Sequence, residues 1–163
     1  MGEDTMFNGN FKFNKPVEER IVKFVNNLNN SRRMKRSNEA IKAIYPDWKD
    51  WCLDGNLGEE GEFFAHATEN YGQERDVSIL DYNRPPKNQP GLWMQWMIVE
   101  DEFSSDFYLV WDGMEKFYNY VEWLQYLIDN VFAPNGYSIS GAVSVCGNYG
   151  ETIIVSDNNV SVI

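Results

Sequence analysis

Beyond Leu92 the chain alternates strand-length apolar runs with short polar turns, and one helix-length apolar stripe interrupts them. Few layered architectures can bury that order. Residues 92–99 form a run of large apolar side chains, and residues 107–111 form a second. The acidic segment between them, from Glu100 to Asp106, predicts a hairpin. Asp112 and Glu115 stand at capping-box spacing, the aspartate placed to accept from orphan amides while the glutamate reaches back. Phe117, Tyr120, Val121, Leu124, Leu127, Ile128 and Val131 follow at helical spacing, which predicts one long helix from 112 to about 132. Pro134, Asn135 and Gly136 end it. Strands are expected at 137–145, 152–155 and 160–163, the last two joined through Asp157, Asn158 and Asn159.

The first half is less regular. Residues 7–14 alternate weakly and predict a short edge strand. Pro16 suits a first helical turn with Asn14 as a cap, and Val17, Ile21, Phe24, Val25 and Leu28 predict an amphipathic helix over 17–29. Ser31 to Arg36 reads as a basic turn, and 37–44 as a shorter helix ended by Pro46. Residues 46–91 read as irregular, apart from a short strand at 62–67. Three Pro and one Gly within 81–91 fix φ and remove donors, so that segment predicts a stiff, exposed loop. The fold expectation is α+β: an antiparallel sheet of about five strands, one long helix packed on a face, and one or two N-terminal helices. A chain of 163 residues fits one domain over 1–163. At that length about 70% of the unfolded surface is buried, without a disulfide or metal staple.

Charge is sorted along the chain. Residues 1–50 hold ten Lys/Arg and seven Asp/Glu, residues 51–163 hold four and eighteen, and the net charge is −11. From Glu100 onward ten carboxylates accompany a single cation, Lys116. Such a surface draws basic partners at long range and repels a polyanion, which argues against direct DNA or RNA binding. Six Trp, nine Tyr and ten Phe exceed what a small core uses, and place some rings in a pocket or an interface. Cys52 and Cys146 fit no metal or redox spacing. The acidic N-terminal residues lack the apolar run of a signal peptide, and no stretch approaches the ~18 apolar residues of a membrane span. A soluble, cytoplasmic protein without a membrane partner is expected.

The stretch Trp111-Asp-Gly-x-Glu-Lys-Phe-x-x-Tyr-x-Glu-Trp-Leu-x-Tyr-Leu-Ile128 resembles a family of small acidic proteins of bacteria and their phages. Asp81-Tyr-Asn-x-Pro-Pro-x-x-Gln-Pro-Gly-Leu-Trp93 carries the same likeness, as does Phe11-x-Phe-Asn-Lys-Pro16 followed by Arg32-Arg-Met-Lys-Arg36. The resemblance covers most of the chain. It implies no chemistry, because the family has no assigned activity, and it lends a phage or prophage setting.

Patterns of reactive residues are sparse. Neither a phosphate-cradling glycine loop nor a Gly-x-Ser-x-Gly elbow is present. His66, the only histidine, lies between Phe63-Phe64-Ala65 and Ala67 and reads as a partly buried strand position. Its other reading is acid–base work beside Asp76 or Asp81, as in a small hydrolase. Glu59, Glu60 and Glu62 read as a solvated loop, since the spaced ladder of a calcium loop is missing. No catalytic residue, metal ligand or cofactor is expected from these patterns.

Two candidate surfaces remain. Arg32, Arg33, Lys35 and Arg36 read either as cations at a helix C-terminus or as a phosphate clamp. Tyr118, Glu122 and Tyr126 recur at i, i+4 and i+8 with Trp123 beside them, which fits an interface and fits burial under a loop equally well. The leading expectation is a non-enzymatic acidic protein that inhibits a basic, nucleic-acid-acting host or toxin protein, of phage counter-defence or immunity type. Its contact set is Glu100, Asp101, Glu102, Asp106, Trp111, Tyr118, Glu122 and Trp123. The alternative is a pocket that sequesters a small signalling nucleotide with Arg32, Arg33, Arg36, Tyr82, Arg84 and Trp93. A hydrolase using His66 stands third.

Overall fold

The structure, a computed structural model, describes residues 5–147 and 150–163. Its elements are β1 (Met6–Phe13), α1 (Glu19–Asn29), β2 (Lys35–Arg36), α2 (Asn38–Ile44), β3 (Ile79–Asp81), β4 (Trp96–Glu100), β5 (Phe107–Trp111), α3 (Tyr120–Leu127), β6 (Ile139–Cys146), β7 (Glu151–Ser156) and β8 (Asn159–Val162). Contacts gather these into two compact units, Met1–Glu19 with Gln95–Ile163, and Arg20–Met94.

The first unit is a six-stranded antiparallel sheet in the order β4-β5-β1-β6-β7-β8. The architecture is α+β, as expected, with six strands in place of five. β1 lies in the middle of the sheet, paired with β5 and β6, and is not the edge strand its weak alternation predicts. Phe7, Phe11 and Phe13 all turn to the buried face, and Gly9 holds the place between them. A Cβ at Gly9 would fall 2.3 Å from the Ala142 carbonyl oxygen, and its φ of +119° is one that side-chain-bearing residues rarely adopt. The glycine that blurs the sequence pattern is what lets β6 close on β1. Around the Phe7 ring stand Trp96, Trp111, Phe117 and Tyr120, with centroids 5.0 to 5.9 Å away. Burying each such ring stabilises by roughly 1.5–3 kcal/mol.

The helix on this face starts later than the capping-box spacing predicts. Asp112 Oδ1 accepts instead from the Met114 amide at 2.9 Å, a local turn. Lys116 and Asn119 have left-handed backbones, with φ of 57° and 58°, so the chain cannot be helical before Tyr120. α3 then continues through a π turn, Ile128–Phe132, and a 3-10 turn, Ala133–Asn135. Trp123, Leu124, Leu127, Val131 and Phe132 are wholly buried. At the chain end, left-handed Asp157 and Asn158 make the tight turn that pairs β7 with β8.

The second unit has little regular structure. Ser37 caps α2 by accepting from the Ala40 amide, and β2 pairs with β3. The basic turn of the sequence thus contains a strand, and the Pro-rich segment begins as the end of another. No strand forms at 62–67. The carbonyl oxygens of Gly61, Glu62 and Phe64 converge on the buried Arg33 guanidinium at 3.0 to 3.4 Å, which no sheet ladder permits. Gln89 ties the Pro-rich loop to the same centre, accepting from Arg33 Nε at 3.2 Å and donating to the Glu62 carbonyl at 2.7 Å. Pro86 and Gln89 are accordingly buried, so the loop is only partly exposed. Among the described residues no helix is long and apolar enough to cross a membrane.

Gly9→Ala is expected to cost about 3 kcal/mol in urea denaturation, whereas Gly55→Ala, left-handed but with open space around it, costs about 1 kcal/mol. Equal losses at the two sites would contradict the close approach of β1 and β6.

Candidate functional site

Counted by unit, charge is sorted more sharply than along the sequence. Residues 1–19 and 95–163 together carry fourteen Asp/Glu and three Lys/Arg, while residues 20–94 carry eleven of each. The whole net charge therefore belongs to the first unit. Its most acidic feature is the β4–β5 turn. Asp101 Oδ1 accepts from the Phe103 amide at 2.8 Å and the Ser104 amide at 3.4 Å, and the Asp101 amide donates to the Asp106 carbonyl at 2.8 Å. These bonds hold the turn in one shape with Phe103 at its tip, 96% exposed. Glu100 and Glu102 are exposed beside it. Asp106 meets Lys12 at 3.4 Å in a solvated pair worth about 1 kcal/mol or less.

The other members of the acidic contact set lie elsewhere. Hairpin register places Glu100 opposite Phe107 and Trp96 opposite Trp111, so Trp111 is at the far end of β5, ~17 Å from the turn. Trp111 is half-buried, its Nε1 donating to the Met114 carbonyl at 3.0 Å. Tyr118 is exposed in the loop at that same far end, and Glu122 is exposed on α3. Trp123 is fully buried in the core, which leaves no surface of it for a partner. Of the eight residues, the structure joins Glu100, Asp101, Glu102 and Asp106. It adds Phe103, a phenylalanine in a polar turn with no apolar neighbour in sequence to cover it.

The six residues of the nucleotide alternative also divide. Arg32 is half-buried and Arg33 buried, the two parting across a tight turn in which the Met34 amide donates to the Arg32 carbonyl at 3.1 Å. Arg33 is 1% exposed and bound to carbonyls, Ser31 and Gln89. Arg36 is buried, 3.3 Å from Asp76 Oδ2 and 2.6 Å from Ser78 Oγ. Arg84 is largely exposed and pairs with Asp81 at 3.6 Å. Arg32, Tyr82 and Trp93 do come together: the Arg32 guanidinium lies 4.3 Å from the Tyr82 ring centroid and 5.9 Å from that of Trp93. Arg75 joins them at 4.0 Å from the Tyr82 ring. In sequence Arg75 stands between Glu74 and Asp76, a place that suggests local pairing and hides its role.

His66 stands half-buried among aromatic rings. It stacks on Phe64 at 5.6 Å and meets Tyr45 at 4.9 Å and Trp51 at 4.8 Å. Burial, and then the Arg36 charge, hold its pKa below the ordinary 6.5, so the imidazole is neutral at physiological pH. The carboxylate of Asp76 is taken by Arg36, Ser78 and Tyr45, and Asp81 by Arg84 and the Asn83 amide. Burial works against ionisation of Asp76, but hydrogen bonds from Ser78 and Tyr45 together with the Arg36 charge outweigh it, and its pKa falls. Burial and the Asp76 contact push the Tyr45 phenol up to about 12. The run at 59–62 is likewise engaged: Glu59 pairs with Lys87 at 3.1 Å and Glu60 with Lys35 at 3.0 Å. A small cleft of about 240 Å³ opens between Arg20, Lys23, Lys49, Trp51 and Cys52. Burial raises the Cys52 thiol, which makes it a poor nucleophile at neutral pH. No family model, curated protein or solved structure matches the chain.

The Arg36–Asp76–Tyr45 group sets a pH dependence with two limbs. Asp76 has a lowered folded pKa, so its contribution is present above the usual 3.8 and is lost as pH falls through the folded value. Tyr45 has a raised one, so its contribution is present below 10.0 and is lost as pH rises through about 12. Asp76→Asn is expected to cost about 2 kcal/mol at pH 7 and to flatten the acid limb. Urea midpoints measured across pH would show an unchanged acid limb in that variant if Asp76 were a bystander.

Proposed function

We propose that the acidic unit docks on a basic protein surface and blocks it, with the β4–β5 turn leading. One observation carries this reading: all of the net charge belongs to that unit, while the other is neutral and spends Arg20, Lys35, Arg36, Arg84 and Lys87 in ion pairs of its own. Proteins that act on nucleic acids present cationic surfaces, and these are the surfaces such a unit finds fastest. Glu100 and Glu102 supply the steering, and Phe103 supplies an apolar anchor whose burial slows release. The resemblance of residues 111–128 to small acidic proteins of bacteria and their phages favours inhibition of a host or toxin protein, in the manner of counter-defence or immunity.

Affinity capture from bacterial lysate is expected to enrich one basic, nucleic-acid-acting protein, and affinity for it falls as salt rises. In that complex Phe103→Ala raises Kd about tenfold, mostly through dissociation, while Glu100→Lys with Glu102→Lys slows association about tenfold at low salt. A partner held with salt-independent affinity, or one indifferent to all three substitutions, counts against the reading.

A further inference from the structure

We propose that the second unit carries a phosphate-binding site built on Arg32, Arg75 and Tyr82, shaped for a phosphate monoester joined to a flat ring, as in a nucleoside monophosphate. The inference is independent of the docking surface on the first unit.

Two guanidiniums, from residues 43 positions apart in the sequence, approach one phenol ring at 4.3 and 4.0 Å. A cation–π contact leaves the charge of each guanidinium uncancelled, so each can still take an anion. The nearby carboxylates do not serve. Glu74 accepts from Thr68 Oγ1 at 2.8 Å, Asp76 is held by Arg36 and Ser78, and Asp81 pairs with Arg84. Among the described residues neither Arg32 nor Arg75 has a carboxylate within ion-pair distance, although the unit contains as many acids as bases. Two arginines on the same ring, neither paired with a carboxylate, are what an external oxyanion would complete.

Arg32 is also pre-organised. Its Nε donates to the Tyr82 carbonyl at 3.1 Å, one Nη2 hydrogen reaches Asn83 Oδ1 at 3.3 Å, and its own amide is held by the Tyr71 carbonyl at 2.8 Å. These are neutral acceptors, so they fix the fork without cancelling its charge. The Nη1 edge keeps its two donors for a ligand, the geometry that recognises phosphate through paired bonds. Tyr82 is covered by guanidiniums, so the flat part of the ligand rests on Trp93 and Tyr71. Trp93 is half-buried, Tyr71 is 51% exposed, and the two rings meet edge to face at 6.5 Å. Rigid aromatic surface beside an unpaired cation is a general means of holding a base next to its phosphate.

Isothermal titration of the full chain with adenosine monophosphate, adenosine and inorganic phosphate tests the site. The monophosphate is expected to bind saturably, more tightly than either fragment, and more weakly as salt rises. Arg75→Ala, at an exposed position, weakens it about tenfold, and so does Arg32→Lys, which keeps the charge and loses the fork. Arg84→Ala leaves it unchanged. Absence of saturable binding at millimolar concentrations would overturn the proposal, as would equal affinity for adenosine or for inorganic phosphate. Indifference to both Arg75→Ala and Arg32→Lys, or an equal loss in Arg84→Ala, would do the same.

Discussion

A single buried guanidinium organises the irregular unit. Arg33 gathers the carbonyls of Gly61, Glu62 and Phe64 with Ser31 Oγ and Gln89 Oε1, all within 3.4 Å. A cation in that position is tolerable only because so many fixed dipoles face it, and each dipole is thereby committed to one conformation. Phe64 becomes a buried platform against which Arg36, Tyr45 and His66 pack. The Pro-rich loop is anchored through Gln89. Segments that would otherwise wander are pinned from beneath, and the surface residues they bear, Arg32 and Tyr82 among them, inherit that rigidity.

The first unit solves the opposite problem. It has ample apolar surface to bury and an excess of like charge to endure. The rings around Phe7 and the fully buried stripe of α3 supply cohesion, while most carboxylates stand on turns and helix positions in contact with water. Screening at physiological salt limits their mutual repulsion beyond ~8 Å. What remains is a steep local field over exposed turns, available to a cationic partner and of little use for holding the fold together.

Much of this was legible in the residues, and the rest was hidden for identifiable reasons. The β4–β5 hairpin and the β7–β8 turn follow from alternation and from turn residues a few positions apart, which are local signals. β1 was readable as a strand but not as a central one, because its partners Leu109 and Val145 lie about a hundred residues or more away and Gly9 breaks its pattern. The start of α3 is hidden because left-handed Lys116 carries no mark in its side chain, while Asn119, which tolerates that conformation, lies within the helical spacing. The run at 62–67 has the look of a strand, but the carbonyls of Glu62 and Phe64 turn to the Arg33 cation instead. Site residues suffered most from local geometry: four residues of β5 lie between Trp111 and the acidic turn, and one step along a tight turn parts Arg32 from Arg33.

In the proposed complex the charge of one unit, not of the whole molecule, meets the partner. An NMR titration with an arginine-rich peptide addresses it residue by residue. Shifts are expected to concentrate on residues 100–106 and their neighbours in the first unit, and to fade as salt is added. Shifts spread across residues 20–94, or persisting unchanged in high salt, would contradict it.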